Sequence, residues 1–271
     1  MTSGWLAGAL GLSVRVDHDA HGAGLDGLAG LALRRNPRRA HLLVSRVLGK
    51  HLPVDPAVAL AAGAVLAGRV SPAPGPAARV PPLVVGYCET ATSLGHAVAD
   101  ALPGAAYLHS TRRVVPGWRP LLEFDEAHSH ASHHWLMPAD PDLLRTPRPV
   151  VLVDDELTTG RTALATIRAL HRLARHPSYT VAALLDLRPA AERAGFDRLA
   201  EELGVPVRAG ALLSGELLVP ADVAERARAV LARHGRPAAP PPGPCHPVRR
   251  VAVDWPAELP DGARHGWGAA E

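Results

Sequence analysis

The stretch VVLVDDELTTGRT, residues 150–162, decides the fold of this chain. Four apolar residues run directly into Asp154 and Asp155, which is the pattern of a short buried strand with two acids at its carboxyl end. The hydroxyl residues and glycine that follow indicate a tight loop, and the amphipathic segment 161–175 indicates a helix after it. Strand, loop and helix in this order predict a βα unit of a parallel sheet.

The same alternation of strands and helices extends on both sides of this unit. The further predicted strands are PLVVGY (82–87), AAYLHS (105–110), YTVAALLDLR (179–188) and VPVRAGALLSG (205–215). The further predicted helices are SLGHAVADAL (93–102), AERAGFDRLAEEL (191–203) and PADVAERARAVLARHG (220–235). We therefore expect an α/β fold with a Rossmann-like parallel sheet, which binds ligands beyond the carboxyl ends of its strands.

The N-terminal third is less regular than the rest. LSVRV (12–16) predicts a strand, and residues 36–69 predict helical structure on both sides of a break at 48–56. The Pro-rich segment 71–82 predicts a connector. We expect three divisions of the chain: an N-terminal helical or hood extension over 1–30, a main domain over 31–235, and a Pro-rich tail over 236–271.

Composition excludes several classes of protein. The 271 residues carry a net charge of +3, a surplus too small to indicate a nucleic-acid partner. No apolar run reaches the roughly 18 residues of a membrane span, and the N-terminus lacks the early positive charge of a secretory signal. Cys88 and Cys245 are the only cysteines, which excludes a disulfide framework and favours a cytoplasmic location. Lys50 is the only lysine, which suggests a position that needs a compact charge.

The loop after Asp155 has the chemistry of an anion site. Small hydroxyl residues and a glycine at a helix N-terminus bring several backbone N–H groups to one point, an arrangement that suits a phosphate. The neighbouring carboxylates suit paired hydroxyl groups or a Mg²⁺ held with a substrate. A phosphate and a diol together describe a ribose 5-phosphate. The alternative is a capped helix with acids that face solvent.

The segment resembles the phosphoribosyl-pyrophosphate (PRPP) signature of type I phosphoribosyltransferases, in which four apolar residues, two acids and a T-[TS]-G-x-T loop follow one another. The resemblance implies that Asp154 and Asp155 hold the ribose hydroxyls and act in catalysis. It also implies Mg²⁺ bound through PRPP, with the same two carboxylates as candidate ligands. The implied 5′-phosphate site consists of Thr158, Thr159, Gly160, Arg161 and Thr162.

At Thr158 the sequence differs from part of this family, and the difference restricts which bases can be the acceptor. Enzymes of this family that salvage 6-oxopurines carry an aspartate at the place of Thr158, where it serves the base nitrogen. A threonine cannot take that proton, which argues against hypoxanthine or guanine as the acceptor.

A second loop, GYCETATSLG (86–95), stands where the family binds pyrophosphate through backbone groups. Members often have a non-prolyl cis peptide there. A mobile hood over PRPP is the third part, and residues 109–149 fit it. The implied pyrophosphate ligands are Glu89, Thr90, Ala91 and Thr92 of the loop, with Arg112 and Arg113 of the hood.

Histidines cluster within the hood, where His128, His130, His133 and His134 follow Glu126. Three interpretations stay open: a zinc site, contacts with substrate and pyrophosphate, or a His-rich surface loop. Under the second, His128 and His130 would bind the acceptor. Glu126 or one of these histidines would then deprotonate the acceptor.

A narrower resemblance joins these blocks to NPRRAHLLVSRVLGKHLPVDP (36–56). In this order they are similar to predicted phosphoribosyltransferases of bacterial tellurite-resistance and stress-response gene clusters. Members of that group are thought to make a nucleotide-like metabolite. The block 36–56 would then recognise the acceptor, with Arg39, His41, Ser45, Lys50 and His51 as its polar candidates.

The expected function is transfer of ribose 5-phosphate from PRPP, with Mg²⁺, to a small nitrogenous acceptor, with release of pyrophosphate. Homodimers are common on this fold, and the resemblance allows one here. A non-catalytic PRPP or nucleotide sensor is the main alternative, and a ribose-phosphate hydrolase or phosphorylase is another. The long polar hood and the absence of a helix-turn-helix pattern favour the enzyme over the sensor.

Overall fold

The computed structural model describes residues 4–34, 41–70, 80–115, 117–125, 133–235, 249–256 and 258. The strands are β1 (Ser13–Asp19), β2 (Ala29–Leu33), β3 (His41–Ser45), β4 (Leu83–Gly86), β5 (Ala106–His109), β6 (Leu122–Asp125), β7 (His133–Leu136), β8 (Val150–Leu157), β9 (Tyr179–Asp186) and β10 (Val207–Leu218). The helices are α1 (Trp5–Leu10), α2 (Gly24–Leu28), α3 (Pro56–Val70), α4 (Thr92–Asp100), α5 (Asp142–Arg145), α6 (Arg161–Leu173), α7 (Ala190–Leu203) and α8 (Val223–His234).

A six-stranded sheet in the order β1-β10-β9-β8-β4-β5 forms the centre of the fold. Its five strands from β10 to β5 are parallel, and β1 pairs with β10 in the antiparallel direction at one edge. From β4 the chain continues outward to β5, whereas from β8 it continues to the other side through β9. The order therefore reverses between β4 and β8, which is where a sheet of this kind forms a ligand crevice.

Hydrophobic side chains cover both faces of this sheet. On one face, residues of α3, α4 and the β2–β3 pair form a single buried cluster with the strands. On the other face, α6, α7 and the β6–β7 hairpin form a second cluster. This two-sided burial explains why β8 begins with four buried apolar residues in a row and becomes polar only near its end.

The sequence prediction was wrong for part of the N-terminal third. Residues 41–45 were expected to be helical, but they form β3, which pairs with β2 from Ala29↔Ser45 to Leu33↔His41. The apolar run Leu42–Val44 is too short for its periodicity to distinguish a helix from a buried strand. The expected helix over the second part of this segment is present as α3.

The N-terminal extension contains the helices α1 and α2, in agreement with the expectation of helical structure there. It also contains the predicted strand, which is longer than expected and forms the edge strand β1 of the main sheet.

The hood contains the β6–β7 hairpin, which was not predicted from the sequence. Leu122, Phe124 and Leu136 are buried on one side of the β6–β7 hairpin, which packs against α6. Among the described helices, none is long and apolar enough to cross a membrane.

Candidate functional site

Two loops meet at the carboxyl ends of the adjacent strands β4 and β8. Gly86 pairs with Val153 in the parallel ladder, and Tyr87 N–H donates to Val153 O at 2.9 Å. The residues after each strand therefore lie side by side around a cavity of about 210 Å³. The cavity is lined by Lys50, Tyr87, Cys88, Glu89, Thr90, Arg112, His134 and the run from Asp154 to Ala163.

The loop Thr158–Thr162 passes directly into α6. Gly160 precedes the helix with φ +73°, a left-handed conformation that favours glycine. A Cβ there would lie 2.7 Å from the Phe196 ring, so space also requires glycine. Thr159 Oγ1 accepts from Arg161 N–H at 3.4 Å. The positive end of the 13-residue helix α6 therefore faces the cavity, as phosphate binding requires.

The Arg161 side chain turns toward α7, where its guanidinium pairs with Glu192 at 2.8 Å. Arg161 lines the cavity, but its guanidinium is engaged with α7.

A buried ion pair supports the phosphate loop from behind. Arg188 bonds both carboxylate oxygens of Asp186, at 2.8 and 2.7 Å, and stacks over the Phe196 ring at 4.0 Å. The Phe196 ring is in turn the neighbour that restricts Gly160. Sequence reasoning missed this support, although two opposite charges close to the end of the apolar strand β9 were a visible signal.

The two acids of β8 form a tight pair. Asp155 N–H donates to Asp154 Oδ1 at 2.9 Å. Burial raises the pKa of Asp154 well above its ordinary value, and the neighbouring negative charge of Asp155 raises it further. The ionised pair would therefore gain from hydroxyl donors or from a cation.

The donor set fits Mg²⁺ only together with a substrate. Across the described part of the chain, no group of three His, Cys, Asp or Glu side chains is arranged to hold a metal. Mg²⁺ is usually bound through one or two carboxylates plus substrate phosphates, and the Asp154–Asp155 pair supplies that number of carboxylates.

The loop after β4 contains a cis peptide between Cys88 and Glu89, neither of which is proline. Glu89 and Thr90 line the cavity. Ala91 is fully buried, and Thr92 begins α4 with its hydroxyl donating to Glu89 O at 3.4 Å. Of the four pyrophosphate ligands predicted in this loop, Glu89 and Thr90 thus line the cavity, whereas Ala91 is buried and Thr92 bonds the loop backbone.

The predicted acceptor residues that the structure describes do not form one cluster. Lys50 lies at the loop after β4, where its Nζ donates to Thr90 Oγ1 at 3.0 Å. Ser45 is buried at the end of β3 beside Asp155 and Glu156. His41 begins β3, roughly 13 Å along the strand from Ser45, and His51 is exposed. Arg39, Glu126, His128 and His130 lie outside the described residues.

The two hood arginines have different surroundings. Arg112 lines the cavity, and its Nε donates to His134 Nε2 at 3.2 Å. Arg113 is exposed, as Arg112 is, but it is not among the residues that line this cavity, and its backbone N–H donates to Thr111 Oγ1 at 3.1 Å. His134 is only 2% exposed. Sequence reasoning treated His134 as one member of a His-rich loop and missed Ser110 and Cys88 beside it.

A family model described as phosphoribosyl transferase matches residues 28–216. This match spans well over half of the chain. The chain belongs to the phosphoribosyltransferase family. Membership makes PRPP-dependent transfer of ribose phosphate its activity class, and the predicted α/β fold with a central parallel sheet is confirmed. No curated protein sequence matches the chain.

Several solved structures are similar to this phosphoribosyltransferase. Adenine phosphoribosyltransferase from Trypanosoma brucei, in complex with AMP, pyrophosphate and ribose-5-phosphate, is 14% identical with a TM-score of 0.47, over 69% of this chain and 77% of that one. The enzyme from Rhodothermus marinus is 20% identical with a TM-score of 0.46, over 75% and 97%. The enzyme from Giardia lamblia with 9-deazaadenine is 19% identical with a TM-score of 0.47, over 69% and 94%.

Proposed function

We propose that this phosphoribosyltransferase binds PRPP in the cavity between β4 and β8 and transfers its ribose 5-phosphate to a small nitrogenous acceptor, releasing pyrophosphate. One observation carries the proposal. The loop at the N-terminus of α6, the acid pair of β8 and the loop after β4 line a single cavity. These three parts suit the phosphate, the diol and the pyrophosphate of one PRPP molecule.

The ribose half of PRPP would lie at the end of β8. The backbone N–H groups and hydroxyls of Thr158–Thr162 would bind the 5′-phosphate. Asp154 and Asp155 would accept hydrogen bonds from the ribose hydroxyls, which also offsets the charge repulsion between the two carboxylates. During transfer the anomeric carbon becomes positively charged, and the same carboxylates stabilise that charge.

The pyrophosphate half would lie against the loop after β4. Lys50 and Arg112 bring positive charge to the cavity from two different segments of the chain. Glu89 lies 4.0 Å from Lys50 Nζ and so keeps the lysine at the loop. Mg²⁺, when bound, would neutralise charge on the leaving pyrophosphate, with Asp154 and Asp155 as its nearest protein ligands.

A narrow cleft lies beside this cavity, between the β2–β3 pair and the ends of β8 and β9. Leu28, Leu43 and Leu184 supply apolar walls, and Ser45, Asp155 and Glu156 are its polar groups. Its volume of about 10 Å³ holds about one water molecule, so this cleft does not identify the acceptor subsite. Glu126, His128 and His130 stay predictions for acceptor contact.

Several further parts of the proposal rest on sequence alone. These are a cytoplasmic location, a homodimer, and a nucleotide-like product in a stress-response or tellurite-resistance pathway. The division into extension, main domain and tail also stays a proposal, although β1 of the extension pairs with β10 of the main domain.

The experiment is a screen of acceptors with PRPP and Mg²⁺, monitored by pyrophosphate release and by ³¹P NMR. Purines, pyrimidines, pyridine carboxylates and amines would each be tested with the wild type and with Asp154→Asn/Asp155→Asn. We expect acceptor-dependent pyrophosphate release that the double variant loses. Free ribose 5-phosphate without an acceptor would indicate a hydrolase, and PRPP that is bound but never consumed would indicate a sensor.

A further inference from the structure

His134 connects the hood hairpin to the loop after β4. Its Nδ1 lies 3.0 Å from Ser110 Oγ and 3.6 Å from Cys88 Sγ, and its Nε2 lies 3.2 Å from Arg112 Nε. The ring is held in place on both sides: it stacks on Phe124 at 5.0 Å and meets the edge of Tyr87 at 6.2 Å. A side chain this enclosed has little freedom to rotate.

The contact with Arg112 determines which ring nitrogen of His134 carries the proton. An arginine Nε always carries a hydrogen and cannot accept one. His134 Nε2 must therefore accept, so the proton of the neutral ring is on Nδ1. That N–H points toward Ser110 Oγ and Cys88 Sγ. Ser110 Oγ also accepts from Cys88 N–H at 2.9 Å.

A continuous chain of hydrogen bonds thus runs from the Arg112 guanidinium through His134 and Ser110 to the backbone of Cys88. Its two ends are the two groups that would contact pyrophosphate. One end is the guanidinium that lines the cavity, and the other is the peptide that leads into Glu89. His134 lies between these ends, so its position sets the orientation of both.

We propose that His134 is a positioning residue for the pyrophosphate half of the site, which it builds by orienting Arg112 and the Cys88–Glu89 segment together. The inference rests on the proposed function and adds to it a link between the hood and the pyrophosphate loop. Because the hairpin β6–β7 carries His134, the hood shapes the site from within as well as covering it.

The test measures two ligands separately, Mg²⁺-pyrophosphate and ribose 5-phosphate, by calorimetric titration of the whole chain. His134→Ala should weaken pyrophosphate binding by about tenfold or more, since it removes hydrogen bonds to a charged group. Ribose 5-phosphate binding should change by less than about twofold, because none of the contacts described for His134 reaches the Thr158–Thr162 loop.

Two conservative variants separate the two ends of the chain of hydrogen bonds. An asparagine can place an N–H near the position of Nδ1, and a glutamine can place an acceptor near that of Nε2. Both His134→Asn and His134→Gln should therefore recover part of the lost pyrophosphate affinity. Adding Arg112→Met, which leaves no N–H donor at position 112, should remove the recovery given by His134→Gln and leave that of His134→Asn.

The buried histidine His176 provides a matched control. It lies at the opposite end of the sheet, next to the start of β9, and bonds the backbone of Arg148. His176→Ala should lower stability without changing the ratio of the two affinities.

Equal loss of both ligands in His134→Ala, or no loss of either, would overturn the positioning role while leaving the proposed function intact. A folded wild type that binds neither ligand would overturn both.

Discussion

Lys50 donates a hydrogen bond to the hydroxyl of Thr90, Nζ to Oγ1 at 3.0 Å, although 40 positions separate them in the chain. Nothing in the local sequence pairs these two residues. The contact forms because the segment after β3 passes over the loop after β4. It moves the only lysine of the chain away from the acceptor group in which sequence reasoning placed it, toward the proposed pyrophosphate subsite.

Removing this lysine should weaken PRPP selectively at its pyrophosphate end. Lys50→Ala should raise the KM for PRPP roughly fivefold, which corresponds to about 1 kcal/mol for a partly exposed charge. Lys50→Arg should recover only part of the loss, because a planar guanidinium does not replace a compact ammonium. Steady-state kinetics would show this, and an unchanged KM in Lys50→Ala would contradict it.

Gly160, the glycine of the phosphate loop, should tolerate alanine poorly because of its conformation and its close neighbour. An alanine there would pay about 1–2 kcal/mol for the left-handed backbone and would also press its methyl group against the Phe196 ring. We expect Gly160→Ala to lower the free energy of unfolding by about 2–4 kcal/mol.

Gly204 is the matched control for this substitution, since it has a similar φ of +67° and nothing within 4 Å of its missing Cβ. Gly204→Ala should cost only the conformational part, about 1–2 kcal/mol. Urea unfolding measures both variants. Equal losses would show that the Phe196 contact has no effect on the loop.

Cys88 should ionise more readily than an ordinary thiol. Burial acts to raise its pKa, but hydrogen bonds with His134 and Ser110 and the positive charges nearby outweigh burial, so the pKa is lowered. The thiolate then persists to lower pH, and the alkylation rate should reach its plateau at lower pH than in the unfolded chain.

Iodoacetamide kinetics in a Cys245→Ser background would isolate Cys88, and His134→Ala should move the midpoint of the profile upward. A midpoint equal to that of the unfolded chain would show that the hydrogen bonds described for Cys88 do not stabilise its thiolate.

Ionisation of Asp154 should lower the free energy of unfolding near neutral pH. Its folded-state pKa is raised by burial and by Asp155, so the folded state holds its proton more tightly than the unfolded state does. The protein therefore loses stability as pH rises from the ordinary aspartate pKa through the raised value. Asp154→Asn should remove this loss. Urea unfolding of both proteins between pH 4 and about 8 should show the variant gaining relative to wild type as pH increases, and parallel curves would contradict the prediction.

The central fold could be predicted from sequence because buried parallel strands and amphipathic helices have distinct periods. VVLV (150–153) and VAALL (181–185) are continuous apolar runs, whereas the helix over 161–175 repeats its apolar residues every three or four positions. The β3 strand could not be identified in this way. Its apolar run HLLV is too short for a period, and only pairing with β2 decides its conformation.

Sequence alone could predict only those parts of the site whose residues are close together in the chain. The stretch 150–162 carries its own strand, acids and loop, so its arrangement follows from local order. Lys50 at Thr90, Arg188 behind Gly160, and His134 between Arg112 and Ser110 depend instead on how distant elements pack. No single sequence records those pairings.

The most direct test of the account is calorimetric titration of the wild type and of Asp154→Asn/Asp155→Asn with PRPP and Mg²⁺. We expect one PRPP per chain for the wild type. In the double variant we expect binding weakened at least about 100-fold, because two hydrogen-bonded carboxylates are lost, while thermal stability is retained. Equal binding by both proteins, or no binding by a folded wild type, would contradict the placement of PRPP between β4 and β8.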